Sequence, residues 1–236
     1  MKIAGLQKMT LLDFPGRIAC TVFLQGCNFR CPFCHNSDLL PGQGEVLMDD
    51  WEFLAFLKKR RGLLDGVCVS GGEPTLQPEL ENLLKGIKEL GFAAKLDTNG
   101  SKPDMLKKLV EAGLVDYVAM DIKNSPDRYG DTTGCPGINL DKVAQSASYL
   151  ITGPVDYEFR TTVVAELHDD ASVERMGQWL ASLVPGEKPK RLYLQSYVDR
   201  DSVLVSGLHA PEGKQMSAWA DILTPYIVSV EVRGAQ

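Results

Sequence analysis

Three cysteines lie within eight residues of one another, in the segment QGCNFRCPFCHN. Cys27, Cys31 and Cys34 have the spacing C-x₃-C-x₂-C, whereas zinc sites usually combine two C-x₂-C pairs, or Cys and His pairs, at other spacings. A four-iron cluster normally takes four thiolate ligands. A cluster that only three cysteines hold keeps an open coordination position, and an open position makes a bound metal reactive. The segment therefore predicts a reactive [4Fe-4S] cluster.

The sequence alone leaves other roles open for these cysteines. They could be buried thiols, a disulfide pair, or part of a zinc site that His35 completes. The other three cysteines are scattered along the chain. Cys20 and Cys68 fall in predicted strands and Cys135 in a predicted loop, so we predict structural roles for them.

The cysteine segment follows the first of six predicted strands, and a helical stretch follows each strand. Alternation of this kind is typical of a parallel sheet with crossover helices. Eight such units close a barrel, so six predict an α/β fold: a partial (β/α)₆ TIM-like barrel, open on one side. We expect residues 1–236 to form this single domain. The predicted strands are 18–24, 67–69, 93–97, 117–122, 156–164 and 192–195, with a last strand at 227–232.

Glycine-rich and polar segments follow four of these strands. In parallel βα folds, reactive groups gather at the carboxyl ends of the strands. Each segment alone could be a turn or a surface ion pair, but their common position favours a ligand site. Paired glycines allow close backbone approach, and carboxylates with a lysine can hold an ammonium and a carboxylate, so a ligand with an amino acid end fits. The segments are Cys27–Cys34, Gly71-Gly72-Glu73-Pro74, Asp97-Thr98-Asn99-Gly100 and Asp121-Ile122-Lys123.

Composition excludes several classes of protein. The net charge of −6 argues against a nucleic-acid binder, which needs a basic face. Neither a secretory signal nor an apolar run of bilayer-spanning length is present, so we expect a cytoplasmic protein without a membrane partner. The tryptophans Trp51, Trp179 and Trp219 fall on predicted helices and are expected in the core, and the loop histidines His168 and His209 at the surface.

The spacing C-x₃-C-x-aromatic-C resembles the signature of the radical S-adenosylmethionine (SAM) enzymes. Further segments are similar to those of the activating enzymes of glycyl radical enzymes. The resemblance is closest to the activating proteins of anaerobic ribonucleoside-triphosphate reductase, with those of pyruvate formate-lyase a close second, and it is strongest over residues 1–125. The segments are Asp13-Phe14-Pro15-Gly16-Arg17, Cys34-His35-Asn36, Asp97-Thr98-Asn99-Gly100 and Asp121-Ile122-Lys123.

This resemblance implies a reaction and its partners. A low-potential donor such as flavodoxin or ferredoxin would reduce the cluster, SAM would be cleaved, and a glycine of the partner glycyl radical enzyme would lose a hydrogen atom. The chemistry would belong to the cofactors, while the protein positions and shields them. Asp13 and Arg160 would face the peptide loop of the partner.

The resemblance also implies the contacts to SAM. Gly71, Gly72 and Glu73 would hold the methionine ammonium, and Asp97 and Asp121 would share a monovalent cation. Phe33 and His35 would contact the adenine, and Lys123 would border SAM together with Asp121. The full implied set is Phe33, His35, Gly71, Gly72, Glu73, Asp97, Asn99, Asp121 and Lys123.

Two departures from the family pattern bear on the partner. Residues 36–50 hold no cysteine, so we expect one cluster without extra ones. Where the formate-lyase type has a histidine after the sixth strand, this chain has Leu194-Gln195-Ser196-Tyr197, and Gln195 is the candidate replacement. The alternatives are a radical SAM enzyme that acts on a small molecule, as in deazapurine synthesis, and an electron-transfer iron–sulfur protein. The latter would need four cysteine ligands and leaves Gly71-Gly72-Glu73 without a function.

Overall fold

The computed structural model describes residues 1–40 and 45–234. The chain has an α/β fold with a mostly parallel sheet that does not close, which confirms the predicted fold class. The strands are β1 Lys2–Thr10, β2 Ala19–Leu24, β3 Met48–Asp49, β4 Gly66–Gly71, β5 Ala93–Thr98, β6 Tyr117–Asp121, β7 Asp156–Val163, β8 Arg191–Ser196 and β9 Ser229–Arg233. The helices are α1 Asp50–Lys58, α2 Leu80–Glu89, α3 Pro103–Glu111, α4 Tyr129–Thr133, α5 Leu140–Thr152, α6 Asp170–Ser182 and α7 Gly213–Leu223.

The residues group into two compact units. Unit one consists of Met1–Asn28, Asn36–Thr98 and Asp104–Ala119, and unit two of Phe29–His35, Asn99–Pro103 and Met120–Gln236. In unit one, β2, β4 and β5 are parallel neighbours, and in unit two β7, β8 and β9 are parallel neighbours. That the whole chain forms a single domain stays a prediction.

Local sequence explains where the helices begin. Asp49 caps α1 by accepting the backbone N–H of Glu52, and the Glu52 carboxylate accepts the Asp49 N–H in return. Asp169 and Ser172 form the same reciprocal pair at the start of α6. Such pairs satisfy N–H groups that the first helical turn leaves without partners. None of the helices in the described ranges is long and apolar enough to cross a membrane.

All six predicted strands are present as β2 and β4 to β8, and the predicted last strand is present as β9. The prediction missed β1, which pairs antiparallel with β2, and the two-residue β3, which pairs with β1. Most of β1 is partly or fully exposed, and irregular pairing interrupts its register. It therefore lacks the apolar alternation by which a half-buried strand is identified from sequence.

Three predictions about single side chains are wrong. Trp51 is 74% exposed on α1, whereas it was expected in the core, and Trp179 is only half-buried. His168 is buried, whereas it was expected at the surface. The predictions for Trp219, which is buried, and His209, which is exposed, are confirmed. Burial of Cys20 and Cys68 is also as predicted.

A small core in unit one anchors the loop between β1 and β2. Phe14 packs against Ala19 and Ala93, which are the first residues of β2 and β5, and against Tyr117. Its ring centroid lies 6.2 Å from that of Tyr117. The segment that begins with Asp13 is therefore fixed at the end of unit one where these strands start.

We expect Phe14→Ala to lower the free energy of unfolding by about 3 kcal/mol, because a buried aromatic side chain is replaced by a cavity. Denaturant unfolding of the protein measures this change. Trp51→Ala is the control and should change the free energy of unfolding by less than about 0.5 kcal/mol, since the side chain is exposed. An equal loss for both variants would contradict the packing described for Phe14.

Candidate active site

The last residue of β4, Gly71, and the next residue, Gly72, must be glycines because of a backbone contact with the start of the cysteine loop. The Gly72 N–H donates to the Leu24 carbonyl at 2.9 Å, and the Glu73 N–H donates to the Gly26 carbonyl at 2.7 Å. A Cβ on Gly71 would overlap the backbone of Leu24, and one on Gly72 would overlap the Gly26 carbonyl. Gly71 also has a φ of +129°, which favours glycine. The pair therefore lets the chain that leads into Cys27 lie directly against the end of β4.

Glu73 is buried and its carboxylate is held by neighbours in unit one. Its Oε1 accepts the Thr75 N–H at 3.1 Å, the Thr98 hydroxyl at 2.7 Å and the Thr75 hydroxyl. These bonds cap the short helical turn Pro74–Leu76 and tie it to the end of β5. The carboxylate is thus fixed in one orientation, with one oxygen engaged by protein donors. Its predicted bond to the methionine ammonium stays a prediction.

Asp97 belongs to a buried charged group that the sequence prediction did not include. The Asp97 carboxylate accepts from the ammonium of Lys95, which is only 1% exposed, and from the Ser70 hydroxyl at 3.0 Å. The Lys95 Nζ lies 3.7 Å from the Cys68 sulfur. A buried ammonium needs such a partner, because leaving it unpaired would be very costly. The alternation of β5 places Lys95 and Asp97 on one face, a pattern that could have been read from the sequence.

Cys27 and Asp13 also lie in unit one. Cys27 is half-buried and follows Gly26, whose carbonyl accepts from Glu73. The Asn36 side chain at the end of the cysteine segment donates to the Gly71 carbonyl at 3.2 Å. Asp13 is half-buried and accepts the hydroxyl proton of Thr21 in β2. Asp13 is therefore held toward β2 rather than extended into solvent.

The remaining part of the cysteine segment lies in unit two, under the loop that follows β8. The His35 Nε2 lies 2.6 Å from the Val198 carbonyl, the Ser202 hydroxyl donates to the His35 carbonyl at 2.8 Å, and the Val205 N–H donates to the Pro32 carbonyl at 3.0 Å. Burial lowers the pKa of His35. The contact with the Val198 carbonyl fixes the orientation of the His35 ring.

Asp121, Lys123 and Arg160 form one charged group in unit two. The Lys123 ammonium lies 2.9 Å from Asp121 Oδ2, and the Arg160 guanidinium donates to Asp121 Oδ1 at 3.0 and 3.1 Å. The Lys123 Nζ also lies 5.9 Å from the centre of the Phe33 ring. Burial alone would lower the pKa of Lys123, but the negative charges of Asp121 and Cys31 outweigh it and raise that pKa. Lys123 is therefore a permanent cation close to Cys31.

The structure connects two residues, Arg160 and Asp121, to which the prediction had given separate roles. Arg160 was expected to face the partner and Asp121 to border SAM, yet they are a direct ion pair.

Asn99 is buried, and its Oδ1 accepts the Ser101 N–H at 3.0 Å, which shapes the turn after β5. Two buried residues were missed. Asn124 and His168 bind the backbone around Lys123, and His168 also lines a cavity of about 610 Å³ beside Trp219.

The donor set of the cysteine segment fits an iron–sulfur cluster. All six cysteines are free thiols, which does not support the disulfide alternative. Cys31 is buried and Cys34 half-buried, and cysteine thiolates are the ligands that iron–sulfur clusters take. Across the described ranges, no three His, Cys, Asp or Glu side chains are grouped as ligands of a single metal ion.

Comparison with known proteins gives the family. A model of the radical SAM superfamily matches residues 21–167. A Methanocaldococcus jannaschii protein that is named a glycyl-radical enzyme activating enzyme is 28% identical over 98% of this chain and 95% of its own length. The chain belongs to the radical SAM superfamily. The pyruvate formate-lyase 1-activating enzyme of Escherichia coli K12 is 30% identical over 79% of this chain and 78% of its own length.

A solved structure agrees on the fold. The radical SAM methyltransferase of Sphaerobacter thermophilus superposes with a TM-score of 0.72 at 16% identity, over 95% of this chain and 68% of that protein. This likeness shows the fold alone. Membership in the superfamily makes the chain a radical SAM enzyme whose cofactors are a [4Fe-4S] cluster and SAM. The M. jannaschii relative is named as an activating enzyme of a glycyl-radical enzyme, and the E. coli relative as an activating enzyme of pyruvate formate-lyase.

We expect anaerobic reconstitution to give about four irons per chain. Replacement of Cys27, Cys31 or Cys34 by Ala should abolish SAM cleavage and reduce the iron that is retained. Replacement of Cys20, Cys68 or Cys135 by Ala should leave both unchanged, since these thiols lie outside the motif. Iron analysis and chromatographic detection of 5′-deoxyadenosine measure the two quantities. A requirement for any of the second three would show that the ligand set is wrong.

The contact between Gly72 and Gly26 predicts a defect in the cysteine loop itself. Gly72→Ala should lower the free energy of unfolding of the iron-free protein by about 2 kcal/mol, because the added Cβ displaces the Gly26 carbonyl. It should also reduce iron retention, since Gly26 precedes Cys27. Gly137→Ala is a matched control, because a Cβ there meets nothing within 4 Å. Normal stability and iron content in Gly72→Ala would contradict this reading.

Proposed function

We propose that this radical SAM enzyme activates a glycyl radical enzyme, and that its partner is anaerobic ribonucleoside-triphosphate reductase. The observation that carries the activase role is the similarity, over nearly the whole of both chains, to a relative that is named a glycyl-radical enzyme activating enzyme. The E. coli relative, which is also named an activating enzyme, extends the same similarity over more than three quarters of each chain.

In this proposal Cys27, Cys31 and Cys34 hold the cluster through their thiolates. The bound cofactors would supply the chemistry: with one electron from a low-potential donor, SAM would be converted into methionine and 5′-deoxyadenosine, and 5′-deoxyadenosine would gain its added hydrogen atom from the glycine Cα. The partner is left with a glycyl radical. The protein's own task is to hold SAM against the open iron and to admit only the glycine loop.

The charged group of unit two supports that task. The Asp121 carboxylate, 2.9 Å away, favours the charged form of Lys123 and raises its pKa, so Lys123 can offer a cation to the carboxylate or ribose of SAM. Arg160 is held by the same Asp121 carboxylate, and it is proposed to bind the incoming peptide backbone. A shift of Asp121 would therefore move a proposed SAM contact and a proposed peptide contact together.

Asp13 is the second proposed contact to the peptide. Its carboxylate is oriented by the Thr21 hydroxyl, and the neighbouring Phe14 is held in the small core of unit one. A carboxylate accepts peptide N–H groups and a guanidinium donates to peptide C=O groups, neither of which requires a side chain on the substrate. Such contacts suit a glycine loop.

One feature argues against a formate-lyase as partner. The formate-lyase type is expected to place a histidine near SAM at the end of the sixth parallel strand, whereas this chain has the half-buried Gln195 in β8. The closer resemblance of the sequence motifs to the anaerobic reductase type is the reason for choosing the reductase.

The test is electron paramagnetic resonance of the reduced protein mixed with SAM and a candidate partner under anaerobic conditions. We expect a glycyl radical signal with the anaerobic ribonucleoside-triphosphate reductase of the same host. Asp13→Asn should lower the radical yield by about tenfold, as expected when a substrate-positioning group is lost, while SAM is still cleaved slowly. Cys135→Ala serves as the control and should behave as the wild type.

Other results would change the assignment in a defined way. A radical on a formate-lyase, and none on the reductase, would overturn the choice of partner and keep the activase role. Consumption of SAM with a small metabolite, and no radical on any glycyl radical enzyme of the host, would overturn the activase role itself.

A further inference from the structure

Lys123 lies beyond the end of its strand, so sheet hydrogen bonds do not fix its position. β6 ends at Asp121, and residues 122–125 have no regular secondary structure. The Ile122 N–H still donates to the Arg160 carbonyl at 2.8 Å. After that point, contacts with the segment that follows β7 and with α4 hold the chain, through His168, Asn124 and Tyr129.

His168 binds two backbone segments through its two ring nitrogens. Nδ1 lies 3.1 Å from the Val164 nitrogen and 3.2 Å from the Val164 carbonyl oxygen. Because Nε2 faces a carbonyl, which can only accept, we assign the proton of the neutral ring to Nε2, and Nδ1 accepts the Val164 N–H. Nε2 then donates to the Lys123 carbonyl at 3.0 Å. The ring is only 4% exposed, and burial lowers its pKa, so the neutral form with a proton on Nε2 is the stable one.

Asn124 makes the second connection between the same two segments. It is fully buried, and its Nδ2 donates to the Leu167 carbonyl at 2.9 Å and to the Thr132 hydroxyl at 2.9 Å. Its Oδ1 accepts the Ser125 N–H at 2.7 Å. The residues on either side of the Lys123–Asn124 peptide bond are therefore both tied to residues 167 and 168. Buried hydrogen bonds of this kind specify one backbone geometry.

We propose that His168 is a positioning residue for Lys123: by binding the Lys123 carbonyl, it holds the lysine side chain where it pairs with Asp121 and meets SAM. The inference rests on the proposed placement of Lys123 beside SAM. His168 touches neither the cofactor nor the reacting atoms in this account, and it acts only through the backbone of Lys123. A purely structural histidine would affect folding alone, whereas a positioning histidine also sets the affinity for SAM.

A double-mutant cycle separates these two roles. The measurement is the dissociation constant of SAM, determined by calorimetry on the anaerobically reconstituted protein. The variants are His168→Ala, Lys123→Ala and the combination of both, with His168→Gln as the conservative replacement that keeps a donor near the position of Nε2. His209→Ala is the matched control, because His209 is an exposed histidine whose ring contacts Glu166.

We expect His168→Ala to weaken SAM binding by about tenfold, as expected when one buried hydrogen bond no longer orders a ligand contact. His168→Gln should recover most of that affinity, and His209→Ala should bind as the wild type. In the Lys123→Ala background, removal of His168 should cause no further loss, because the residue through which it acts is already absent.

If the two single substitutions weaken SAM binding independently, so that their fold-changes in the dissociation constant multiply in the double variant, the inference is wrong. It is also wrong if His168→Ala binds SAM with unchanged affinity. Unchanged affinity in Lys123→Ala would also overturn it, along with the placement of Lys123 beside SAM. That result would leave the activase proposal standing, because radical formation on the partner tests that proposal separately.

A second readout does not depend on the cofactors. The chain has three histidines, so ¹⁵N-labelled imidazoles of the iron-free protein can be assigned by comparing the wild type with His168→Gln. The imidazole signals that are absent from the spectrum of His168→Gln belong to His168. We expect their ¹⁵N shifts in the wild type to show a protonated Nε2 and an unprotonated Nδ1. The opposite tautomer would contradict the bond to the Lys123 carbonyl.

Discussion

The close backbone contact between the end of β2 and the end of β4 is the constraint on which the arrangement of unit one depends. It requires residues without side chains at positions 71 and 72, because the carbonyl of Gly26 and the backbone of Leu24 occupy the space that a Cβ would need. The same contact fixes the position of Gly26, which directly precedes Cys27, the first residue of the cysteine motif. A glycine pair that was predicted to serve the ligand thus also serves the loop that is proposed to hold the cluster. Both roles follow from the close approach that glycine permits.

Buried charge is the second feature that organises the candidate site. Within unit one, the ammonium of Lys95 is paired with Asp97, and within unit two the Asp121 carboxylate is shared by Lys123 and Arg160. The carboxylates Asp97 and Asp121 lie next to or at the carboxyl ends of β5 and β6, where reactive groups of such folds gather. Pairing offsets the cost of removing each charge from water. The carboxylates that the resemblance assigns to a shared monovalent cation therefore already have protein cations as partners.

The sequence predicted the parts of the fold that depend on short-range pattern. Six strands and their helices follow from apolar periodicity, and the positions of Gly71, Asp97 and Asp121 at strand ends follow from strand–helix order. Strand β1 was missed because its faces are not sorted into apolar and polar residues. Burial of His168 was missed because it depends on partners that are 45 residues away in sequence, at the Lys123 carbonyl. The ion pair between Arg160 and Asp121, 39 residues apart, was missed for the same reason. Contacts between residues that are this far apart in sequence leave no local sequence pattern from which they could be predicted.

Trp51 illustrates the opposite error. Its position on a predicted helix suggested burial, but α1 presents Phe53 and Leu57 to the core and leaves Trp51 exposed. Residue type alone is therefore a weak guide to burial for tryptophan, which is seldom fully buried. The cysteine motif is the contrasting case, because its spacing reflects the chemistry of the bound group rather than the burial of its residues.

We propose that this chain transfers a hydrogen atom from a glycine Cα of a partner protein to the 5′-deoxyadenosyl group of SAM, which becomes 5′-deoxyadenosine. The most direct measurement uses a partner in which the glycine residues carry deuterium at the α-carbon. The account predicts that 5′-deoxyadenosine from the anaerobic mixture contains one deuterium, by mass spectrometry, in proportion to the glycyl radical formed. Unlabelled 5′-deoxyadenosine in a mixture that nevertheless forms the radical would contradict direct abstraction from the glycine.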